Sequence, residues 1–169
     1  MAEFRLVQID EDISSVRELF WEYLQWANAR GNEEFGVNFD IETMLEENMQ
    51  ELDMYLPPEG RLVLVFEGGK PAGLGCLKKL RSSMGEIKRM YIRPAFRGRG
   101  LGRGVLERLL CEARDLGYDK VRLDSARFME AAHALYRSSG FQEIEPYDES
   151  EIPPEFREYW IFMERTLGG

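Results

Sequence analysis

Apolar and polar positions along the chain change period several times, and each change marks a new element. Residues Glu3–Ile9 alternate through Phe4, Leu6 and Ile9 and predict a first strand. Asp10, Glu11 and Asp12 supply an N-cap and first-turn acids. Ile13, Val16, Leu19, Phe20, Tyr23 and Leu24 then recur at helical spacing, with Gly31 as the expected stop. Asp40 caps a second helix through Ile41, Met44, Leu45 and Leu52, which Pro57-Pro58 and Gly60 end. Arg61–Glu67, Pro71–Leu80 and Met84–Ile92 form an antiparallel meander, joined by a tight Gly68-Gly69 turn and by Arg81–Ser83. The meander stops at Arg93-Pro94, and a glycine-rich turn leads into a helix with Leu101, Val105, Leu109, Leu110 and Ala113 on one face. Gly117 closes that helix. Lys120–Asp124 is a short strand, Met129–Ser139 a helix capped by Gly140, and Phe141–Glu145 and Tyr159–Arg165 the last strands. Residues Pro146–Glu158, rich in acid and proline, read as a loop.

Length and composition narrow this pattern to one α/β domain, 1–169. At 169 residues and 44% hydrophobic, the chain buries roughly 70% of its unfolded surface without help. No apolar run approaches the ~20 residues of a membrane helix, and the first ten residues carry Glu3 and Asp10 without a leader-like apolar core. Cys76 and Cys111 stand in unrelated contexts, which excludes a disulfide framework and a zinc cluster. A cytoplasmic home is the expectation. The net charge of −9 argues against nucleic-acid backbone binding. Lys and Arg nevertheless concentrate between Lys78 and Arg108, where only two Glu intervene, and this suggests one specific anionic ligand.

The segment Arg97-Gly98-Arg99-Gly100-Leu101-Gly102-Arg103-Gly104 carries the chemistry. Four glycines would cost about 1 kcal/mol each inside a helix, yet here they stand where a strand hands over to one. Backbone without Cβ atoms can approach a ligand closely, and the positive helix end favours a phosphate. Arg97, Arg99 and Arg103 add counter-charge. The P-loop pattern fails for want of Gly-Lys-Ser/Thr, and the dinucleotide fingerprint fails on spacing and on the antiparallel context.

This loop resembles that of the GNAT family of acyl-CoA-dependent N-acetyltransferases. The family pattern Arg/Gln-x-x-Gly-x-Gly/Ala reads here Arg97-Gly98-Arg99-Gly100-Leu101-Gly102, and Ala134–Phe141 (ALYRSSGF) matches its Leu-Tyr-x-x-x-Gly-Phe. The resemblance covers nearly the whole chain. It implies a mixed, mostly antiparallel sheet of about six or seven strands with about four helices, splayed around a CoA cleft. Acetyl-CoA is then the co-substrate, with no metal, and a primary amine, small-molecule or peptide, is the acceptor. Backbone amides from about Gly98 to Gly104 would hold the pyrophosphate, and Met90, Tyr91 and Ile92 would pair with pantetheine and polarise the thioester carbonyl. Tyr136 matches the tyrosine that protonates the leaving thiolate. Met129 stands where many members carry Asn, as in a subset of small-molecule enzymes of unassigned substrate.

Glu86 occupies the offset of a strand glutamate that serves as base in the histone acetyltransferase branch. It reads equally as an exposed glutamate paired with Lys88 or Arg81, and many members use only a water chain. Uninterrupted alternation would put Glu86, Lys88, Met90 and Ile92 on one face. The first two helices and the last loop line the acceptor site in the family, so Trp26, Phe35, Phe39 and Tyr147 are acceptor-pocket candidates. Trp21 and Tyr23 read as packing, His133 as structural or solvated, Cys111 as a small core hydrophobe, and the Glu46-Glu47 and Asp148–Glu151 acids as solvated faces that would favour a cationic amine if they rim the pocket. A catalytically silent acyl-CoA sensor is the competing reading. Family members often form homodimers, though no residue here fixes one.

Overall fold

The computed structural model describes residues 1–168. Seven strands and four α-helices follow in the order β1 (Ala2–Leu6), α1 (Ile9–Phe35), α2 (Ile41–Gln50), β2 (Arg61–Glu67), β3 (Lys70–Arg81), β4 (Met84–Ile92), α3 (Leu101–Asp115), β5 (Lys120–Ala126), α4 (Glu130–Ser138), β6 (Gln142–Ile144) and β7 (Trp160–Thr166). They form one sheet, β1-β2-β3-β4-β5-β7-β6. All pairings are antiparallel except β4 with β5. This is the mixed, mostly antiparallel sheet expected from the sequence.

Each sheet face carries its own core. On one, α3 lays Leu101, Val105, Leu106, Leu109 and Ala113 against Val63, Val65, Leu77 and Ile87. On the other, Val16, Leu19, Phe20 and Leu24 of α1 meet Leu62, Leu64, Leu74 and Cys76. The strands read as apolar runs because both of their faces are covered.

Several local expectations change. Ile9 begins α1 instead of ending β1, because Asp12 bonds the Gln8 amide (2.7 Å) and takes both arms of Arg5 (2.7 and 2.8 Å). The helix runs past Gly31, which is buried, and stops at Gly36, whose φ of 70° permits the closing turn. α2 ends at Gln50, and Leu52 belongs to a 3-10 turn, Leu52–Tyr55. Cys111 is exposed, since the buried face of α3 passes through its neighbours Leu109, Leu110 and Ala113.

A bulge in β4 decides which side chains reach which face. Leu74 pairs with Tyr91 but Cys76 with Lys88, so β4 has one residue too many, and Arg89 takes φ 57° there. Glu86 and Lys88, opposite Lys78 and Cys76, point toward α1 and α2. Beyond the bulge the order inverts. Met90 and Ile92 pack on the α3 side and Tyr91 on the α1 side. The single-face alternation expected for Glu86, Lys88, Met90 and Ile92 is thereby broken.

Candidate active site

β4 and β5 pair only over Met84–Glu86 with Lys120–Arg122 and then diverge. The gap opens a cleft of about 860 Å³. Met90, Tyr91 and Ile92 form one wall, Asp124, Ser125 and Ala126 the other. Residues of α1 and α2 close one side, and the turn before α3 closes the opposite end.

That turn is short of internal partners. The Arg97 amide donates to Pro94 O (3.3 Å) and the Gly104 amide to Gly100 O (3.1 Å). Among the described residues, no amide of 98–103 donates a hydrogen bond to the protein. Gly98 and Gly100 hold φ 79° and 77°, which turns successive amides to one side, and the space where their Cβ atoms would lie is open. These groups stand at the positive end of a 15-residue helix, and Gly98, Gly100, Leu101 and Gly102 line the cleft. The arrangement fits a pyrophosphate.

Tyr136 of α4 faces the same cleft. Its ring lies 5.8 Å from that of Phe141, the residue is 5% exposed, and among the described residues its hydroxyl has no hydrogen-bond partner. Burial pushes its pKa above the ordinary tyrosine value, so at neutral pH it is a proton donor.

A cleft between splayed strands, an amide-rich turn and a buried tyrosine are joined here by a sequence match. The model of the acetyltransferase (GNAT) family aligns with residues 13–141. The chain belongs to the GNAT family. It is 31% identical over 151 residues to an uncharacterized N-acetyltransferase of Schizosaccharomyces pombe, covering 87% of this chain and 86% of that one. It is 30% identical over 121 residues to the IAA acetyltransferase of Azospirillum brasilense, covering 71% and 76%. The fold matches that of the PaiA N-acetyltransferase from Thermoplasma acidophilum, solved in complex with coenzyme A, with a TM-score of 0.76 at 18% identity over 99% of each chain. The protein is thus an acyl-CoA-dependent N-acyltransferase of the GNAT type.

Within this GNAT cleft, the residues expected at the CoA site divide. Met90, Tyr91, Ile92, Arg97, Gly98, Gly100, Leu101, Gly102, Met129 and Tyr136 all line it. Arg99, Arg103 and Gly104 do not. Arg99 lies over the Phe96 ring at 5.6 Å, and Arg103 donates to Ser138 Oγ at 3.0 Å, tying α3 to α4. A Cβ at Gly104 would overlap the Phe4 ring, so this glycine serves the packing of α3 on β1. Arg97 turns inward. Its Nε donates to Ile92 O (2.8 Å), and its guanidinium sits 5.1 Å from the Trp26 ring centre and 5.6 Å from that of Tyr91. Met129 Sδ accepts from Ser125 Oγ at 3.5 Å, while Nε2 of buried His133 lies 3.0 Å from the same oxygen.

The acceptor candidates divide too. Trp26 and Phe39 line the cleft. Phe35 stands behind it, stacked on Tyr159 at 4.7 Å and packed on Phe128 at 6.0 Å. Tyr147 is buried and donates to Glu86 Oε2 at 2.8 Å. Glu86 itself lines a separate polar cavity of about 160 Å³. Burial raises its pKa, against the lowering pull of Lys88, the Tyr147 hydrogen bond and Lys78.

Two cleft groups had escaped the sequence reading, and a third, Glu151, belonged to a stretch named there only as a conditional pocket rim. Tyr23 looked like one more apolar position of α1, but it lines the cleft with its ring 6.0 Å from that of Tyr91, and burial raises its pKa. The signal for it was a hydroxyl on an otherwise apolar stripe. Asp124 and Glu151 flank Lys88 at 3.2 and 3.1 Å. Burial works against the Lys88 charge, but these carboxylates outweigh it and keep the ammonium protonated. Glu151 keeps the exposure expected of its stretch, with 45% of its side chain accessible, but the folded sheet also brings its carboxylate to Lys88 and Arg89 of β4.

Proposed function

We propose that this GNAT domain transfers acetyl from acetyl-CoA to a primary amine by direct attack within a ternary complex. The observation that carries this reading is that the amides of Gly98, Gly100, Leu101 and Gly102 and the hydroxyl of Tyr136, without partners among the described residues, belong to residues that line one cleft. The amides and the α3 dipole would bind the pyrophosphate. The β4 wall at Met90, Tyr91 and Ile92 would hold pantetheine as a neighbouring strand. Acetyl-CoA supplies the activated thioester. Tyr136 would deliver the proton the departing thiolate needs, and its raised pKa keeps that proton available at neutral pH. The amine would enter from the α1–α2 side past Trp26 and Phe39, beside Asp124 and Glu151, whose charges Lys88 and Arg89 balance. Glu86 opens onto the second cavity, so the geometry supports a water relay in preference to direct contact with Glu86 for deprotonating the amine.

Calorimetric titration with acetyl-CoA, followed by free-thiol release with a panel of primary amines, tests the proposal. Micromolar binding and amine-dependent thiol release are expected. Tyr136→Phe should keep the binding and lower turnover by about 100-fold. Binding without turnover on any amine would favour the silent sensor, and a folded protein that ignores acetyl-CoA would sink both readings.

A further inference from the structure

Arg89 combines two features that are unfavourable in isolation. It is a non-glycine residue in the left-handed region, φ 57°, inside a central strand. Its guanidinium is also buried, with the residue 8% exposed. The side chain is fully engaged. Nε and Nη2 donate to Asn48 Oδ1 at 3.2 and 2.8 Å, and Nη1 and Nη2 donate to the two Glu151 oxygens at 2.7 and 3.2 Å. Asn48 is held in turn by donating to Met44 O at 2.6 Å. One planar fork therefore fastens α2 and the β6–β7 connection to the bulge of β4.

These two fastened pieces make the acceptor side of the cleft. Ile41, Met44 and Glu47 of α2 line it, as do Ile152 and Pro153 just beyond Glu151. The opposite end is built by the turn before α3, and Arg89 makes no hydrogen bond or ion pair to that turn. The bulge that sets the face of Met90 and Tyr91 and the wall that receives the acceptor thus meet in a single side chain. A bidentate fork suits this task, since it fixes two oxygens in one plane as an ammonium does not.

We propose that Arg89 is a positioning residue of the acceptor site, holding α2 and the β6–β7 connection in place over β4 while leaving the CoA end to α3. This rests on the acetyl-transfer reading above. The informative variant is Arg89→Gly, because glycine accepts the left-handed backbone and removes only the fork. Acetyl-CoA affinity, read by calorimetry, should stay within about twofold of the parent, while the acceptor KM rises about tenfold and kcat changes less. Millimolar guanidinium should restore the acceptor KM of the glycine variant and leave the parent unaffected. Arg89→Lys, which keeps the charge without the fork, should recover only part, and it carries the same readouts if the glycine variant does not fold.

An unchanged acceptor KM in Arg89→Gly would overturn the proposal. So would a parallel loss of acetyl-CoA binding, the mark of a general structural role. Should the parent protein acetylate no amine, the acetyl-transfer reading fails by itself, and hydrogen exchange then decides about Arg89. Faster exchange over 41–50 and 147–153, reversed by guanidinium and absent over 101–115, supports it. Exchange that is unchanged, or uniformly faster, overturns it.

Discussion

Gly102 and Gly104 stand in the first turn of α3 with only Arg103 between them, yet the fold asks opposite things of them. A Cβ on Gly104 would lie 2.5 Å from Cε1 of Phe4 and closer still to Cζ, so the ring must move. Overpacking of this kind costs about 2 kcal/mol. Replacing glycine by alanine in a helix returns about 1 kcal/mol. Gly104→Ala should therefore lose about 1 kcal/mol net, or roughly 2–4 °C in Tm for a chain of this size. A Cβ on Gly102 meets only Leu135 Cδ2 at 3.6 Å and Ile92 Cγ1 at 3.9 Å, which is ordinary contact. Gly102→Ala should gain up to about 1 kcal/mol, and the two variants should melt about 4–8 °C apart.

Ligand binding should run the other way. Leu135 and Ile92 line the cleft, so a side chain at 102 points into the space proposed for CoA; the family pattern admits a methyl there, and Gly102→Glu puts a carboxylate in it. Gly102→Ala should therefore bind within a few fold of the parent, while the carboxylate of Gly102→Glu should weaken acetyl-CoA at least about tenfold, for which about 1.4 kcal/mol of clash and charge repulsion suffices. Gly104→Ala should bind within about twofold of the parent, its amide being already bonded to Gly100 O. Differential scanning calorimetry and titration calorimetry on the same samples provide both readings. A stabilised Gly104→Ala would refute the Phe4 contact as the reason for that glycine. Parent-like acetyl-CoA binding by Gly102→Glu would refute the placement of the cradle.

Two carboxylates should show opposite pH behaviour. Burial raises the Glu86 pKa, so the folded chain holds that proton more tightly than the unfolded chain, and stability falls as pH rises above the unfolded value of about 4.3. Glu86→Gln should consequently be more stable than the parent at pH 7 and equal to it below about pH 4 by urea unfolding; a less stable variant at pH 7 would contradict this. Asp12 is the reverse case. The Arg5 hydrogen bonds lower its pKa, against a smaller opposing effect of burial, so its contribution is present above the unfolded value of about 3.9 and is lost as pH falls through the folded one. Asp12→Asn should cost about 2 kcal/mol at pH 7, with the gap to the parent closing near pH 2, and a gap independent of pH would count against the Arg5 pairing.

Much of this enzyme was legible in its sequence because the rules involved are local. Periodicity located the elements, glycines and acids marked most of their ends, and the Arg97–Gly102 loop with the Ala134–Phe141 segment disclosed the family. Both segments place their chemistry through backbone geometry or a neighbouring helical turn, which short stretches of chain can specify. Three matters were settled only by the tertiary structure. An extra residue at Arg89 reversed the faces of β4, because register depends on a partner strand and not on alternation within one. Phe4, about a hundred residues away in sequence, claimed the space beside Gly104. Glu151, in an acidic loop that is solvated as expected, also met Lys88 and Arg89 of β4. Buried charges must find partners wherever the fold brings oppositely charged groups together, and no spacing along the chain records that meeting.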